Sequence, residues 1–291
     1  MSDRAPGRRL PGDMDHATPS LPTALLLGPF AGGPHGAWVI LHLVAVAGLT
    51  VLTQVGGLVY WVAVGAARAA GRGWLVVPVF LVLYGVVSAA VLPVAAPAAG
   101  RVPLPCLSGL NLEPASPLFC LLNRHYVRPK VAEVAFDVAG DLARQFPGTR
   151  VAFLDGAFPF LDAFPILPHL THNDGRKLDL ALFYEGRAAG GAWPLGYLAF
   201  APGAAVAGEA CPEAGWRRWD AAWLQPLFAD AVLDQARTAA LVRALARHPD
   251  VGRVFFDGRL TWALGLDGEA RIGRAGCHAA RHDDHVHFRL R

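Results

Sequence analysis

Two short segments hold the side chains best suited to chemistry. The first is His172-Asn-Asp-Gly-Arg-Lys-Leu-Asp179, a histidine with a carboxylate following at x6 spacing. The second is His282-Asp-Asp-His285-Val-His287, and four of the 11 histidines fall between His278 and His287. Side chains alternate faces along a strand. A strand over 284–290 therefore puts His285, His287 and Arg289 on one face, with Val286, Phe288 and Leu290 anchoring the other in a core. Two imidazoles at i and i+2 can then converge on one point. The same alternation sets Asp179 on the face of Ala181 and Phe183, opposite Leu178, Leu180 and Leu182. Gly175 lets the chain turn so that His172 and Asp179 meet one ion. Two neutral imidazoles and a carboxylate, with an open fourth position, describe a catalytic zinc site, where the metal acidifies water and polarises a carbonyl. A further histidine can shuttle a proton or hold a developing oxyanion. His-x6-Asp alone arises by chance; the histidine cluster in phase with an apolar strand face is the stronger signal, with a solvated surface cluster as its alternative.

The elements that must position these groups read as follows. Residues 101–129 carry five prolines and form an irregular entry segment. A helix over 131–146 ends at Pro147-Gly148. A strand at 151–154 leads into a Pro-, Phe- and Gly-rich loop over 155–176, then a strand at 178–184. A Gly/Ala-rich stretch over 186–217 surrounds a strand at Tyr197–Phe200. A helix over 229–247 precedes strands at 253–257 and 284–290. Helices and strands do not alternate regularly, so the fold class is α+β.

The N-terminal third differs. No Lys, Arg, Asp or Glu lies between Asp15 and Arg68, or between Arg72 and Arg101. Bilayer hydrocarbon is ~30 Å thick and takes ~20 apolar residues to cross as a helix. Residues 37–65 and 74–97 meet that length, with Trp38, Tyr60, Trp61 and Trp74 near their ends, where amphipathic rings favour the interface. The expected organisation is a tail over 1–36, two membrane helices within 37–100, and a domain over 101–291. Two spans put both chain ends on one side, and Arg68 and Arg72 in the connection mark the opposite, cytoplasmic side. Membrane lipid is thus an expected partner. The net charge of +3 is small and the arginines are scattered, so nucleic-acid binding has no support. Cys106, Cys120, Cys211 and Cys277 all follow the second apolar run, which fits an oxidising compartment. Of three pairings, Cys106–Cys120 with Cys211–Cys277 is preferred; four buried thiols are the alternative.

Together the two motifs resemble the LAS peptidases, which share His-x6-Asp followed by a distant His-x-His. They look most like the penicillin-insensitive murein endopeptidase family, whose last strand carries His-x2-His-x-His, here His282, His285 and His287. Arg253–Asp257 followed by Thr261–Leu264 resembles that family's strand and helix before the final motif. The resemblance spans about residues 150–291. It implies a small antiparallel sheet with flanking helices and one Zn2+ held by His172, Asp179 and His287. It makes His285 the catalytic histidine and has His282 line the site and help hold the transition state. It implies hydrolysis of D-amino-acid-containing peptidoglycan peptides, by a domain outside a bacterial cytoplasmic membrane. Lys177 and Leu170 depart from the family's usual residues beside the motif, which leaves the exact substrate open. A non-hydrolytic zinc protein that binds peptide or wall fragments is the alternative reading. Should the ligands lie elsewhere, His169 and His278 are next in line.

Overall fold

A computed structural model describes residues 35–107, 110–167, 169–191, 196–197, 231–274, 282 and 284–291. Three helices come first: α1 (His35–Thr53), α2 (Gly56–Ala69) and α3 (Gly73–Ala99), the last passing through a wider turn at Val87–Val91. Two of them, over Gly36–Thr53 and Gly73–Ala99, are long and apolar enough to cross a membrane.

The run expected as a single helix over 37–65 is broken. Gln54 takes a left-handed φ of 67°, and Thr53 Oγ1 accepts from the Gly56 amide at 2.8 Å. The chain then turns back on itself. Gly57 lies so close to Val46 and Thr50 that a Cβ there would clash, and His42 meets the Tyr60 hydroxyl at 2.8 Å. Glycine at this contact lets two helix backbones approach. The return of α2 changes the topology: Arg68 comes back to the His35 end of α1, while the domain follows Ala99 at the Gln54 end. The first residues of α1 and the domain therefore lie at opposite ends of the helices.

The domain is α+β, as expected. β1 (Val102–Pro103) pairs with β3 (Tyr126–Val127) in a two-stranded ribbon. A six-stranded sheet has the order β2 (Leu112–Pro114), β4 (Val151–Phe153), β5 (Lys177–Ala181), β8 (His285–Leu290), β6 (Val251–Phe256), β7 (Ile272–Arg274). The expected antiparallel sheet is mixed: β4, β5, β8 and β6 pair antiparallel, but the edge strands β2 and β7 run parallel to their neighbours. Helix α4 (Pro117–Leu121) and strands β1 to β3 occupy the segment expected to be irregular. Ser116 caps α4 by accepting from the Leu118 amide. The Cys106–Cys120 disulfide is formed, with S–S 2.08 Å; Cys211 and Cys277 lie outside the described residues.

Helices α5 (Pro129–Gln145) and α6 (Gln235–Arg247) cover one face of the sheet. Val131, Val134, Ala135, Val138 and Leu142 of α5 repeat at helical spacing and are all buried. With Leu241, Val242 and Leu245 of α6 they meet Leu178, Leu180, Val286 and Phe288 from the middle strands. α6 starts later than the expected 229, because Asp234 caps it by accepting from the Arg237 amide. Helix α7 (Gly258–Ala263) follows β6, capped by Asp257. The other face of the middle strands is left for polar side chains.

Candidate metal centre

The core anchors the polar face by alternation. Because Val286 and Phe288 enter the core, His285 and His287 point away from it; because Leu178 and Leu180 do, so does Asp179. The antiparallel register then sets Asp179 directly opposite His287 and Ala181 opposite His285. Directly opposed residues have Cβ atoms only ~5 Å apart, so their side chains meet. His172 arrives from the loop before β5, which turns at Gly175 with φ 69°, as expected.

Three ligand atoms close on one another. His287 Nδ1 lies 2.8 Å from Asp179 Oδ1, His172 Nε2 lies 3.1 Å from the same oxygen, and the two nitrogens are 2.9 Å apart. All three residues are buried. His172 Nδ1 donates to the Gly156 carbonyl at 3.0 Å, which turns Nε2 toward Asp179. Nε2 and Asp179 Oδ1 are 3.1 Å apart, so a cation held here would be shared by both. The donor set thus fits a metal, and the residues expected to hold one are brought together.

The structure adds groups that the sequence motifs missed. His169 Nδ1 lies 3.1 Å from Asp179 Oδ2 and 3.2 Å from Asp155 Oδ2. The Tyr197 hydroxyl donates to Asp179 Oδ2 at 2.8 Å and lies 3.1 Å from Asp155 Oδ2. Arg124 pairs with Asp155 at 2.6 Å. His169, His172 and Asp179 also form a group with ligand atoms within 4.8 Å, so two sets share His172 and Asp179. Charge separates them. Burial pushes the His169 pKa down, but the hydrogen bonds of Asp155 and Asp179 outweigh it and lift it to about 10, so His169 is a cation bonded to carboxylates. Burial holds His287 near 4, against the pull of Asp179, so it is a neutral imidazole able to ligate. Asp179 itself is driven up by burial, yet the surrounding histidines, His172 first, hold it well below the usual carboxylate range.

His285 sits beside this centre. Its Nδ1 lies 2.6 Å from Asp284 Oδ1 and its Nε2 lies 3.8 Å from Asp179 Oδ2. Burial opposes its charge, but Asp179 and Asp284 raise its pKa above the usual histidine value. His282 lies against it, ring centroids 4.8 Å apart, and 6.0 Å from the ring of His287. All five motif residues are therefore in one cluster; His278 lies outside the described residues. His169 carried a sequence signal, three positions before His172 in the same loop. Asp155 and Tyr197 carried none, since each reaches the site only through the fold. The chain was compared with protein-family models and with curated proteins, and none matches it.

Proposed function

We propose that this chain is a membrane-anchored zinc metallopeptidase that hydrolyses peptide bonds of peptidoglycan. The observation that carries the reading is the convergence of His172 Nε2, Asp179 Oδ1 and His287 Nδ1 within 3.1 Å on a face that also holds His285. Two imidazoles and one carboxylate are the donor set of catalytic rather than structural zinc. When bound there, zinc supplies Lewis acidity, polarising the scissile carbonyl and acidifying water.

The chain's own residues do the rest. Asp179 divides its oxygens: Oδ1 faces the ligand nitrogens, and Oδ2 is held by Tyr197 and His169. That grip fixes the carboxylate, as outer partners of metal ligands commonly do. His285 is anchored through Nδ1 by Asp284, and its raised pKa favours a proton on Nε2, which faces Asp179. In hydrolysis, oxygen from water bonds to the carbonyl carbon and the C–N bond breaks. The leaving amine takes a proton from His285 Nε2, and the proton lost by water replaces it. His282 lines the site next to His285. The peptidoglycan substrate rests on the resemblance of the two motifs to murein endopeptidases.

The helices α1 to α3 hold the domain at a bilayer. Ile40, Val44, Leu58, Val77, Leu81 and Val94 are each more than half exposed, an apolar surface that lipid covers. Arg68 and Arg72 mark the cytoplasmic end, so the domain at the other end faces outward.

The test is zinc content, by elemental analysis, beside peptidoglycan digestion read by mass spectrometry. His287→Ala is expected to lose metal and activity together. His285→Ala is expected to keep near-stoichiometric zinc while turnover falls on the order of 100-fold, the scale of a general acid–base group. Metal retained by His287→Ala and lost by His285→Ala would reverse the roles.

A further inference from the structure

The domain does not stand clear of its helices. The Leu121 carbonyl, at the end of α4, accepts from the Tyr84 hydroxyl at 2.6 Å, and that hydroxyl in turn accepts from Asn123 Nδ2 at 3.0 Å. On the other side, Gln54 Oε1 accepts from the Phe160 amide at 2.9 Å. Leu92, Ala96 and Tyr126 form a small buried core with Val55, Val87 and Phe160, joining helices and domain.

Depth follows from the helical rise of 1.5 Å per residue. Tyr84 lies about 15 Å along α3 from Trp74 and about 22 Å from Ala99, near the middle of the apolar span. A domain resting on the bilayer would touch only the last turn of α3. Here α4 reaches far below that, and it is itself apolar: Leu118 and Leu121 are exposed, as is Leu161 on the loop that meets the helices through Phe160. α4 is also next to the metal centre. The Phe119 ring packs edge-on to Tyr197, centroids 5.9 Å apart, and the Tyr197 hydroxyl bonds Asp179. The loop that carries Phe160 and Leu161 continues into His169 and His172, with Leu167 and Leu170 exposed along it.

We propose that the apolar tip formed by α4 and the Phe160–Leu161 loop is seated in the lipid bilayer, so that the metal centre works at the membrane surface on peptides carried by a lipid anchor. The occupant of this face is lipid because the face is continuous with the lipid-covered surface of α3 and is bonded to it at mid-span. The substrate half of the proposal rests on the peptidase reading above; the seating does not.

The experiment uses the full chain in phosphatidylcholine–phosphatidylglycerol vesicles. A lipid-soluble diazirine is photoactivated and labelled residues are mapped by mass spectrometry. Label is expected on residues 117–121 and on Leu161 as well as on α1 and α3, with none on Trp262, which is exposed but lies across the sheet. A tip without label, whether bare or covered by a second protein, overturns the seating. Cleavage is then measured on one stem peptide, free and joined to a polyprenyl-type lipid. The double variant Leu121→Asp, Leu161→Asp is expected to slow the anchored peptide at least tenfold and leave the free one unchanged. Equal effects on both, or none, overturn the lipid-carried substrate. If the unmodified protein cleaves neither peptide, the peptidase reading fails and takes the substrate half with it, while the labelling still decides the seating.

Discussion

His125 gives the fold a pH dependence whose sign and size can be worked out in advance. Its ring is buried next to the Cys106–Cys120 disulfide, and Nδ1 has no hydrogen-bond partner among the described residues. Burial, opposed by a bond to the Phe119 backbone, pushes its pKa down to about 4 from 6.5. The folded value is below the unfolded one, so the unfolded chain takes up the proton first as pH falls. The stability that depends on neutral His125 is complete above about pH 6.5 and is lost as pH drops toward 4. A gap of roughly 2.5 between the two values, at about 1.36 kcal/mol each, amounts to about 3 kcal/mol, of which about 2 is gone by pH 5. At roughly 2–4 °C per kcal/mol, the melting temperature at pH 5 falls about 4–8 °C through this residue alone. The assay is thermal unfolding of the full chain in detergent with a chelator, between pH 7.5 and 5, for the native protein and His125→Gln. Glutamine can keep a bond to the Phe119 backbone but does not titrate. His287 is also depressed by burial and contributes the same slope to both proteins, so it cancels in the difference. Parallel melting profiles for the two would refute the reasoning.

Two further outcomes follow from the fold. Gly175→Ala places a Cβ at a φ of 69° and within 3.2 Å of Arg101 Nε, so it should cost about 1–2 kcal/mol in denaturant unfolding and loosen the loop that presents His172. For the membrane part, a reporter active only in the cytoplasm should work when fused after Arg72 and fail after Gln54 or Arg291; activity after Arg291 would invert the topology.

The site was legible wherever a local pattern reports a face. The last strand reads from its own phase: Val286 and Phe288 demand a core, and His285 and His287 must then point elsewhere. His172 and Asp179 were visible as a spaced pair, and the turn at Gly175 was readable because glycine tolerates its φ. The pairing of Asp179 with His287 was not legible from geometry, because register between strands more than 100 residues apart is set by the whole sheet. The parallel edge strands were hidden for a related reason: β2 and β7 are three residues each, too short to show a period. The break at Gln54 was missed because hydropathy stays high across it. Composition sees an apolar run; only the close approach of Gly57 to Val46 and Thr50 shows that the run folds back.

The cluster around Asp179 explains why so many charges tolerate burial together. One carboxylate cannot balance the charge of all the histidines around it, and isolated buried charges are costly. Asp155 and Asp284 supply the remaining negative charge, Asp155 to His169 and Asp284 to His285. Arg124 in turn pairs with Asp155 and donates to the Leu167 carbonyl, tying this network to the loop that bears His169 and His172. His287 is the exception. Its Nδ1 contacts are the Asp179 oxygen and the His172 nitrogen, and burial keeps it neutral, the state a metal ligand needs. Carboxylate partners outweigh desolvation at His169 and His285, whereas desolvation prevails at His287, and that difference separates the residue proposed to ligate from the residue proposed to move the proton.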